Sequence, residues 1–390
     1  MNRPRKLKEP FDLTFPLGNA ALLGKEPALL LNSRQSKTPV GSDGWVRNTI
    51  EAARDAIHSG FPLVASVGMN TWELVLWAAG EFRGKAIVIC PLRPDSSPDA
   101  SIVSVAVDFA LEPEEHAWMF VEQPPRSRSA KAWWDGRDRL AFRLARHVVP
   151  VCIRAGGRME KLFKQELRDD QTVDLRFRTG YKSRSKEACR MTLPTETANF
   201  EDWGYLTHWT RRCYGPWPAE TSANYYRAIA ACGESYPRSA VCTLKRILQE
   251  RTIRGSGARI RNGTPVVAFT ALDPCGALSL MRWRKRFVRP TFEPYGIAIH
   301  SKSAQSAGIR PVTYVKSDEK PQEGAPEMIQ GYGTGDWPAE KEWRSVGEVN
   351  LAEIPDEDVL VLVPSERDAD EFRGLTRYRV QPLTCGLESP

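Results

Sequence analysis

Along the first half of the chain, apolar residues come in short unbroken runs separated by amphipathic stretches. Residues 28–32 (ALLLN), 62–66 (PLVAS), 85–90 (KAIVIC) and 147–153 (HVVPVCI) have the length and apolar continuity of buried strands. Between the first two, Val46, Ile50, Ala53 and Ile57 recur at helical spacing, which predicts a helix with one buried face, stopped by Gly60. After the second run, Leu74, Trp77 and Ala78 predict another helix, and Asn70 followed by Glu73 reads as a capping box at its start. Strand, helix, strand, helix, strand predicts parallel pairing with right-handed crossovers, an α/β Rossmann-like domain over 25–175.

The pattern changes in the second half. Residues 203–210, 265–270, 295–300, 311–315, 342–349 and 358–363 are strand candidates, and Val241, Leu244, Ile247 and Leu248 mark a helix. Helices segregated from several short strands predict an α+β domain with a mixed sheet over 199–390. Residues 176–198 between the two read as a basic linker, because 176–190 (RFRTGYKSRSKEACR) shows no apolar period. A solvated connection and a phosphate-contacting arm both fit that composition.

Charge changes the picture less than its total suggests. The 55 Lys plus Arg against 48 Asp plus Glu give +7 over 390 residues. Residues 1–8 alone carry Arg3, Arg5, Lys6 and Lys8, and 176–190 carry six bases and one acid. These segments sum to +9, so the remainder is −2 and no folded basic face is implied. Residues 1–24 are expected to be a basic tail. No run approaches the ~20 apolar residues of a membrane helix. The eight Cys occur singly without a metal-ligand spacing, so reduced thiols in a cytoplasmic protein are the expectation, with no structural zinc.

In open α/β folds, ligands sit beyond the carboxyl ends of the strands. Two loops qualify: Ser33 and Arg34 after the first strand, and Ser66, Gly68, Asn70 and Thr71 between the second strand and a helix start. Exposed N–H groups there suit a phosphate, although Gly68 also fits a tight βα turn with no ligand. Arg154 with Gly156 and Gly157 either closes the same pocket or leaves Arg154 in a surface ion pair with Asp138. The run Leu29–Pro91, with Asn32-Ser33-Arg34 and Ser66-Val67-Gly68 after consecutive strands, resembles the SLOG superfamily. That Rossmann-like group includes the DNA-processing protein DprA and the lysine-decarboxylase-like nucleotide-binding proteins. The resemblance implies a nucleotide or nucleotide-derived ligand.

In the second half, His208, Tyr295 and Glu342 lie on separate strand candidates. Such a trio can clamp a nicotinamide ribose: His donates to a hydroxyl, the ring stacks, and Glu holds the 2′-OH and stabilises positive charge as the glycosidic bond breaks. The same residues also fit ordinary strand-edge positions and surface pairs. Alternation puts Glu340 and Glu342 on one face. The order Thr207-His208-Trp209-Thr210, Val267–Thr270, Phe292–Ala298, Arg310–Tyr314, Glu340–Arg344 resembles abortive-infection (AbiGi-like) proteins and, more distantly, the ADP-ribosyltransferase-like fold that includes DarT. On that resemblance NAD is the cofactor, Glu342 the catalytic acid, His208 the ribose contact and Tyr295 the stacking ring, with Arg211 and Arg254 as candidate arginines. Residues 282–289 (RWRKRFVR) offer Arg282, Arg284 and Arg286 beside Trp283 and Phe287, either as a single-stranded nucleic-acid contact or as an amphipathic helix with its rings buried.

Taken together, the resemblances imply a prokaryotic conflict or phage-defence type protein that couples nucleotide sensing to NAD-using ADP-ribosyl transfer onto a target. Two alternatives stand beside it: a non-enzymatic, DNA-processing-like nucleic-acid binder, and a nucleotide-binding regulator whose second half is an interaction module.

Overall fold

A computed structural model describes residues 16–92, 97–122, 130–182, 193, 198–258, 260, 262–284, 289–316, 324–332 and 338–384. Arg286, most of the 1–24 tail, and 183–192 and 194–197 of the linker lie outside the described residues. The chain forms two compact units: Met1–Arg184 with Ala219–Pro237, and Ser185–Pro218 with Arg238–Pro390. The sequence reading had placed 219–237 within the second domain. Among the described residues, no helix is long and apolar enough to cross a membrane.

The first unit holds strands β1 (Leu17–Gly18), β2 (Ala28–Asn32), β3 (Leu63–Ser66), β4 (Ala86–Leu92), β5 (Ala117–Glu122), β6 (His147–Cys152) and β7 (Thr172–Val173). They form one sheet in the order β1-β5-β4-β3-β2-β6-β7, parallel throughout except that β1 runs antiparallel to β5. Its helices are α1 (Gly44–His58), α2 (Asn70–Glu81), α3 (Pro98–Phe109), α4 (Ala130–Leu144), α5 (Arg158–Glu166) and α6 (Ser222–Ala231). Alternate strand residues feed opposite layers. Ala28, Leu30 and Val88 join a core with α1, α2, α3 and α6, while Leu29, Leu31 and Ile87 join one with α4 and α5. Both faces are covered, which is why these strands read as continuous apolar runs. Each fully buried leucine contributes roughly 1.5–3 kcal/mol of transfer free energy.

Strand order reverses at β2: the chain proceeds outward through β3, β4 and β5, then returns to place β6 on the other side. That reversal is the switch point at which such sheets open a crevice. Three segments differ from the sequence reading. Residues 176–182 are packed onto the first unit, with Phe177 and Tyr181 against its core. Thr179 N donates to Val151 O (2.8 Å) and Asn48 Nδ2 to Phe177 O (3.0 Å). The basic residues had masked two ring anchors. Residues 134–138, to which the sequence reading assigns no element, lie within α4. No capping box forms at α2: the helix starts at Asn70 with Met69 in the capping position, so Glu73 lies a residue too far along and reaches Gly68 instead.

The second unit's main sheet contains β8 (Tyr205–Trp209), β9 (Val266–Thr270), β10 (Gly296–His300), β11 (Arg310–Pro311), β12 (Glu342–Val346), β13 (Val359–Val363) and β14 (Arg379–Pro382). The order is β11-β12-β9-β8-β10-β13-β14, antiparallel except for the β13–β14 pair. Helices α7 (Ala240–Glu250), α8 (Pro274–Leu280), α9 (Ser301–Ser306) and α10 (Glu366–Arg373) accompany it. One face carries Leu206, Phe269, Ile297 and Ile299 into one core; the other carries Trp209, Ala298, Leu360 and Leu362 into a second. Residues 311–315 do not form one strand: Thr313–Lys316 leaves the main sheet and pairs in parallel with Ile329–Tyr332. Within RWRKRFVR, Trp283–Arg284 pairs antiparallel with Arg289–Pro290. These residues are extended, so the amphipathic-helix reading does not hold for them.

Candidate functional site

The carboxyl edge of the first unit's sheet collects polar groups from three loops and two helices. Ser33 N donates to Cys152 O (2.8 Å), and Arg154 N donates to Ser33 Oγ (2.9 Å), so the loops after β2 and β6 are tied together at the switch point. Asn70 Nδ2 donates to Ser36 O (2.6 Å), which fastens the start of α2 to the loop after β2. Arg34 and Arg154 are exposed. Ser66 is buried and its hydroxyl donates to Ile89 O (2.7 Å), so its donor is already used on the neighbouring strand. Gly68 sits at φ +90°, a conformation only glycine adopts freely, and the space where a side chain would project is open.

The structure therefore brings Ser33, Arg34, Asn70, Gly68, Thr71 and Arg154 to one edge. It does not pair Arg154 with Asp138. Asp138 lies buried beneath Arg137, which gives it Nε (3.0 Å) and Nη2 (2.8 Å), and it also takes Arg158 Nη2 (3.1 Å). Asp138 is 5% exposed and is held by Arg137 and Arg158 instead.

Several buried polar atoms at this edge have no partner: Asn32 Oδ1, Thr71 Oγ1 and Arg137 Nη1, while the Gln35 side chain is turned to the Cys152 thiol. Asn32 is anchored from its other end, Nδ2 donating to Thr49 Oγ1 (2.9 Å). Arg137 is 1% exposed, with its guanidinium carbon 4.8 Å from the Trp72 ring centre and 5.2 Å from that of Trp133. Its Nη2 also approaches Met69 Sδ (3.5 Å). Burial works against both charges of this pair, lowering Arg137 and raising Asp138, and their mutual attraction offsets part of that. The first turn of α2 thus has unpartnered polar atoms on both sides, at a helix end whose own N–H groups carry partial positive charge.

Glu73 completes the turn. Its Oε1 accepts from Gly68 N (2.8 Å) and its Oε2 from Tyr226 OH (2.6 Å) on α6. Desolvation raises this carboxyl above its ordinary value, against the opposing effect of the two hydrogen bonds. Sequence reasoning passed over Gln35, Arg137 and Tyr226 and gave Glu73 only a capping role. The spacing of Trp133, Arg137, Leu140, Ala141 and Leu144 carried a helical signal for α4, whereas nothing local linked Tyr226 to Glu73 across 153 residues.

The second unit does not assemble its expected trio. Thr207, Thr270 and Glu342 form one cross-strand row, while His208 pairs with Ile297 in the next. Paired residues share a face and neighbours along a strand alternate, so His208 faces away from Glu342. His208 Nδ1 donates to Ala268 O (2.8 Å), its ring lies against Phe269, and burial lowers its pKa to about 4. Tyr295 shares the His208 side and donates its hydroxyl to Asp368 (3.1 Å). Glu342 Oε1 accepts from Arg344 Nε (2.8 Å). Glu340 does not continue the β12 alternation, because it lies in a 3-10 turn and Lys341 between them is at φ +44°. Desolvation raises Glu340, which pairs with Arg284 (3.2 Å). Arg282 N donates to Thr291 Oγ1 (2.9 Å). Of the candidate arginines, Arg254 pairs with Glu250 (2.8 Å) and Glu348 (3.3 Å), and Arg211 reaches Thr291 O (3.5 Å).

No protein family matches the chain, and no curated protein matches it. Among solved structures, it is similar to DNA processing protein A from Helicobacter pylori, described in a single-stranded-DNA binding mode. That likeness has 14% identity and a TM-score of 0.30, over 41% of this chain and 69% of that one. It is also similar to DprA from Streptococcus pneumoniae, at 15% identity and a TM-score of 0.32, over 41% of this chain and 53% of that one. The likeness is distant and partial. The strand order itself defines the first unit as a mostly parallel, Rossmann-like α/β domain, beside a second unit with a mostly antiparallel mixed sheet.

Proposed function

We propose that the first unit binds a phosphate-bearing, nucleotide-class ligand at the carboxyl edge of its sheet, around the first turn of α2. One observation carries this reading: Asn32 Oδ1 and Thr71 Oγ1 are buried there with no hydrogen-bond partner. Leaving such a group unmade costs roughly 1–3 kcal/mol. A fold retains that cost where a ligand or ordered water supplies the missing partner. Amide and hydroxyl groups suit the hydroxyls and ring nitrogens of a nucleoside. The positive end of α2, the accessible Gly68 turn and exposed Arg34 and Arg154 suit its phosphates. No transfer step is assigned to the second unit, since His208 and Glu342 face opposite ways.

Titration calorimetry with AMP, ATP, NAD and a short single-stranded oligonucleotide tests the reading. Wild-type protein is expected to bind at least one of the mononucleotides or NAD. Thr71→Val, which removes one unpartnered hydroxyl at nearly constant shape, should weaken that binding about tenfold without lowering the Tm of the free protein. Equal affinity in Thr71→Val, or binding of the oligonucleotide alone, would overturn the proposal.

A further inference from the structure

Glu73 stands where the proposed ligand would be received. The Gly68 N–H is the donor that a βα turn of this kind offers to an anion, and here it is already given to Glu73 Oε1 at 2.8 Å. The carboxylate is steadied from behind by Tyr226 OH at 2.6 Å. Tyr226 is buried, and α6, which carries it, is seated by further bonds. Ser222 N and Oγ donate to Asp108 (2.7 and 2.6 Å), and Arg227 pairs with Glu81 (2.7 Å). Thr71, two residues before Glu73, has its buried hydroxyl unpartnered in this arrangement.

We propose that Glu73 is a resident competitor: its carboxylate holds the Gly68 turn, and a phosphate ligand gains that turn when the carboxylate is neutralised or swung aside. This rests on the phosphate-ligand reading given above and adds its regulation. Two anions cannot share one N–H at hydrogen-bond distance without strong repulsion, because unit charges a few ångströms apart near a protein surface interact by several kcal/mol. The titratable and charged groups facing Glu73 are Tyr226 from α6, Asp108 from α3 and Arg137 from α4. Desolvation and Asp108 favour the neutral carboxyl; Tyr226, the Gly68 N–H and Arg137 favour the charged one. Acidification therefore releases the turn, and it does so above the ordinary carboxylate range.

The test compares ATP, AMP and NAD binding by wild type, Glu73→Gln and Tyr226→Phe between about pH 5 and about pH 8. Glu73→Gln should bind about tenfold more tightly than wild type at neutral pH. Its own pH profile records the titration of the ligand phosphates alone. Wild type should approach it as the pH falls. Tyr226→Phe, which keeps the carboxylate but removes its rear support, should bind more tightly than wild type by a smaller factor, and its rise in affinity should begin at higher pH. Weaker binding by Glu73→Gln with an unchanged melt would make Glu73 a ligand contact and overturn the proposal. Equal binding in all three proteins would overturn it while leaving the binding site standing. Absence of binding in all three removes the site and the competitor together.

Discussion

Two buried guanidiniums, Arg137 in the first unit and Arg344 in the second, are held in opposite ways. In the second, Arg344 commits every nitrogen: Nε to Glu342 (2.8 Å), Nη1 to the Glu327 carbonyl (2.6 Å) and Nη2 to the Gln330 side chain. In the first, Arg137 is at least as buried, yet two nitrogens share one oxygen of Asp138 and Nη1 has no partner. Helix starts show the contrast only at the turns around β2. Side chains cap α7, α8 and α10 in the second unit (Ser239, Asp273 and Ser365), though not α9; in the first, Ser97 and Thr221 cap α3 and α6, while α1, α2 and α5, which follow β2, β3 and β6, have no side-chain cap. A parallel sheet delivers all its strand-to-helix turns to one edge; an antiparallel sheet divides them between two. Incompletely bonded buried polar atoms occur in both units; in the first, Asn32 Oδ1, Thr71 Oγ1 and Arg137 Nη1 gather around the first turn of α2, and such a cluster on one edge marks a place kept for something else.

Removing Asp138 should have the largest effect. Asp138→Ala leaves Arg137 charged and uncompensated between two tryptophans, and deprives Arg158 of a partner. Losing one member of a buried pair costs about 3–5 kcal/mol, readable as a lowered midpoint in guanidinium unfolding. A loss below about 1 kcal/mol would mean that water already reaches Arg137, and the contrast with Arg344 would disappear.

Glu342→Ala sharpens the other side. Arg344 would keep its two neutral acceptors, so a loss of about 1–3 kcal/mol is expected, less than for Asp138→Ala. NAD consumption, if any is detected, should be the same in this variant as in wild type. A loss equal to that of Asp138→Ala would show that the neutral acceptors contribute little. Loss of an NAD-consuming activity with the fold intact would return Glu342 to a catalytic role.

The same contrast explains what could be read from the residues alone. Strands β2, β3, β4 and β6 were legible because burial on both faces makes them continuous apolar runs, and a parallel sheet then fixes where its loops go. Naming Ser33, Gly68 and Arg154 from separate loops was enough to place them on one edge. In the second unit, strands were equally legible, but a site also requires register. The Thr207–Thr270–Glu342 row puts His208 on the wrong face, and no local pattern encodes which residues pair. Helix α4 is hard to read because Asp135, Gly136, Arg137 and Asp138 interrupt its apolar stripe, and its buried arginine gives no apolar signal. Helix α6 has an ordinary stripe of Tyr225, Tyr226 and Ile229; that the stripe belongs to the first unit is a long-range fact. The spacing of four from Trp283 to Phe287 fits a helix, whereas Trp283–Arg284 is extended; Phe287 lies outside the described residues.

The finest version of the comparison lies within the first unit, between the turns on either side of β2. Each has a left-handed glycine whose N–H is accepted by a glutamate in the next helix: Gly68 by Glu73, and Gly156 by Glu160, both at 2.8 Å. Around Glu160 the Gly156 hydrogen bond and Lys164 lower the carboxyl in open solvent; around Glu73 desolvation raises it. The two should therefore have pH-dependent effects of opposite sign. A lowered carboxyl contributes stability that is present above its unfolded value and lost as the pH falls through its lower folded value. The advantage of wild type over Glu160→Gln should thus be small and shrink below the ordinary value of 4.5. A raised carboxyl carries a charge cost that vanishes as the pH falls through its higher folded value, so wild type should gain on Glu73→Gln above 4.5. Calorimetric melts of the three proteins across that range separate the cases. If both differences shrink together in the same acidic window, Glu73 is an ordinary helix-start carboxylate like Glu160, and the turn at Gly68 has no property that the turn at Gly156 lacks.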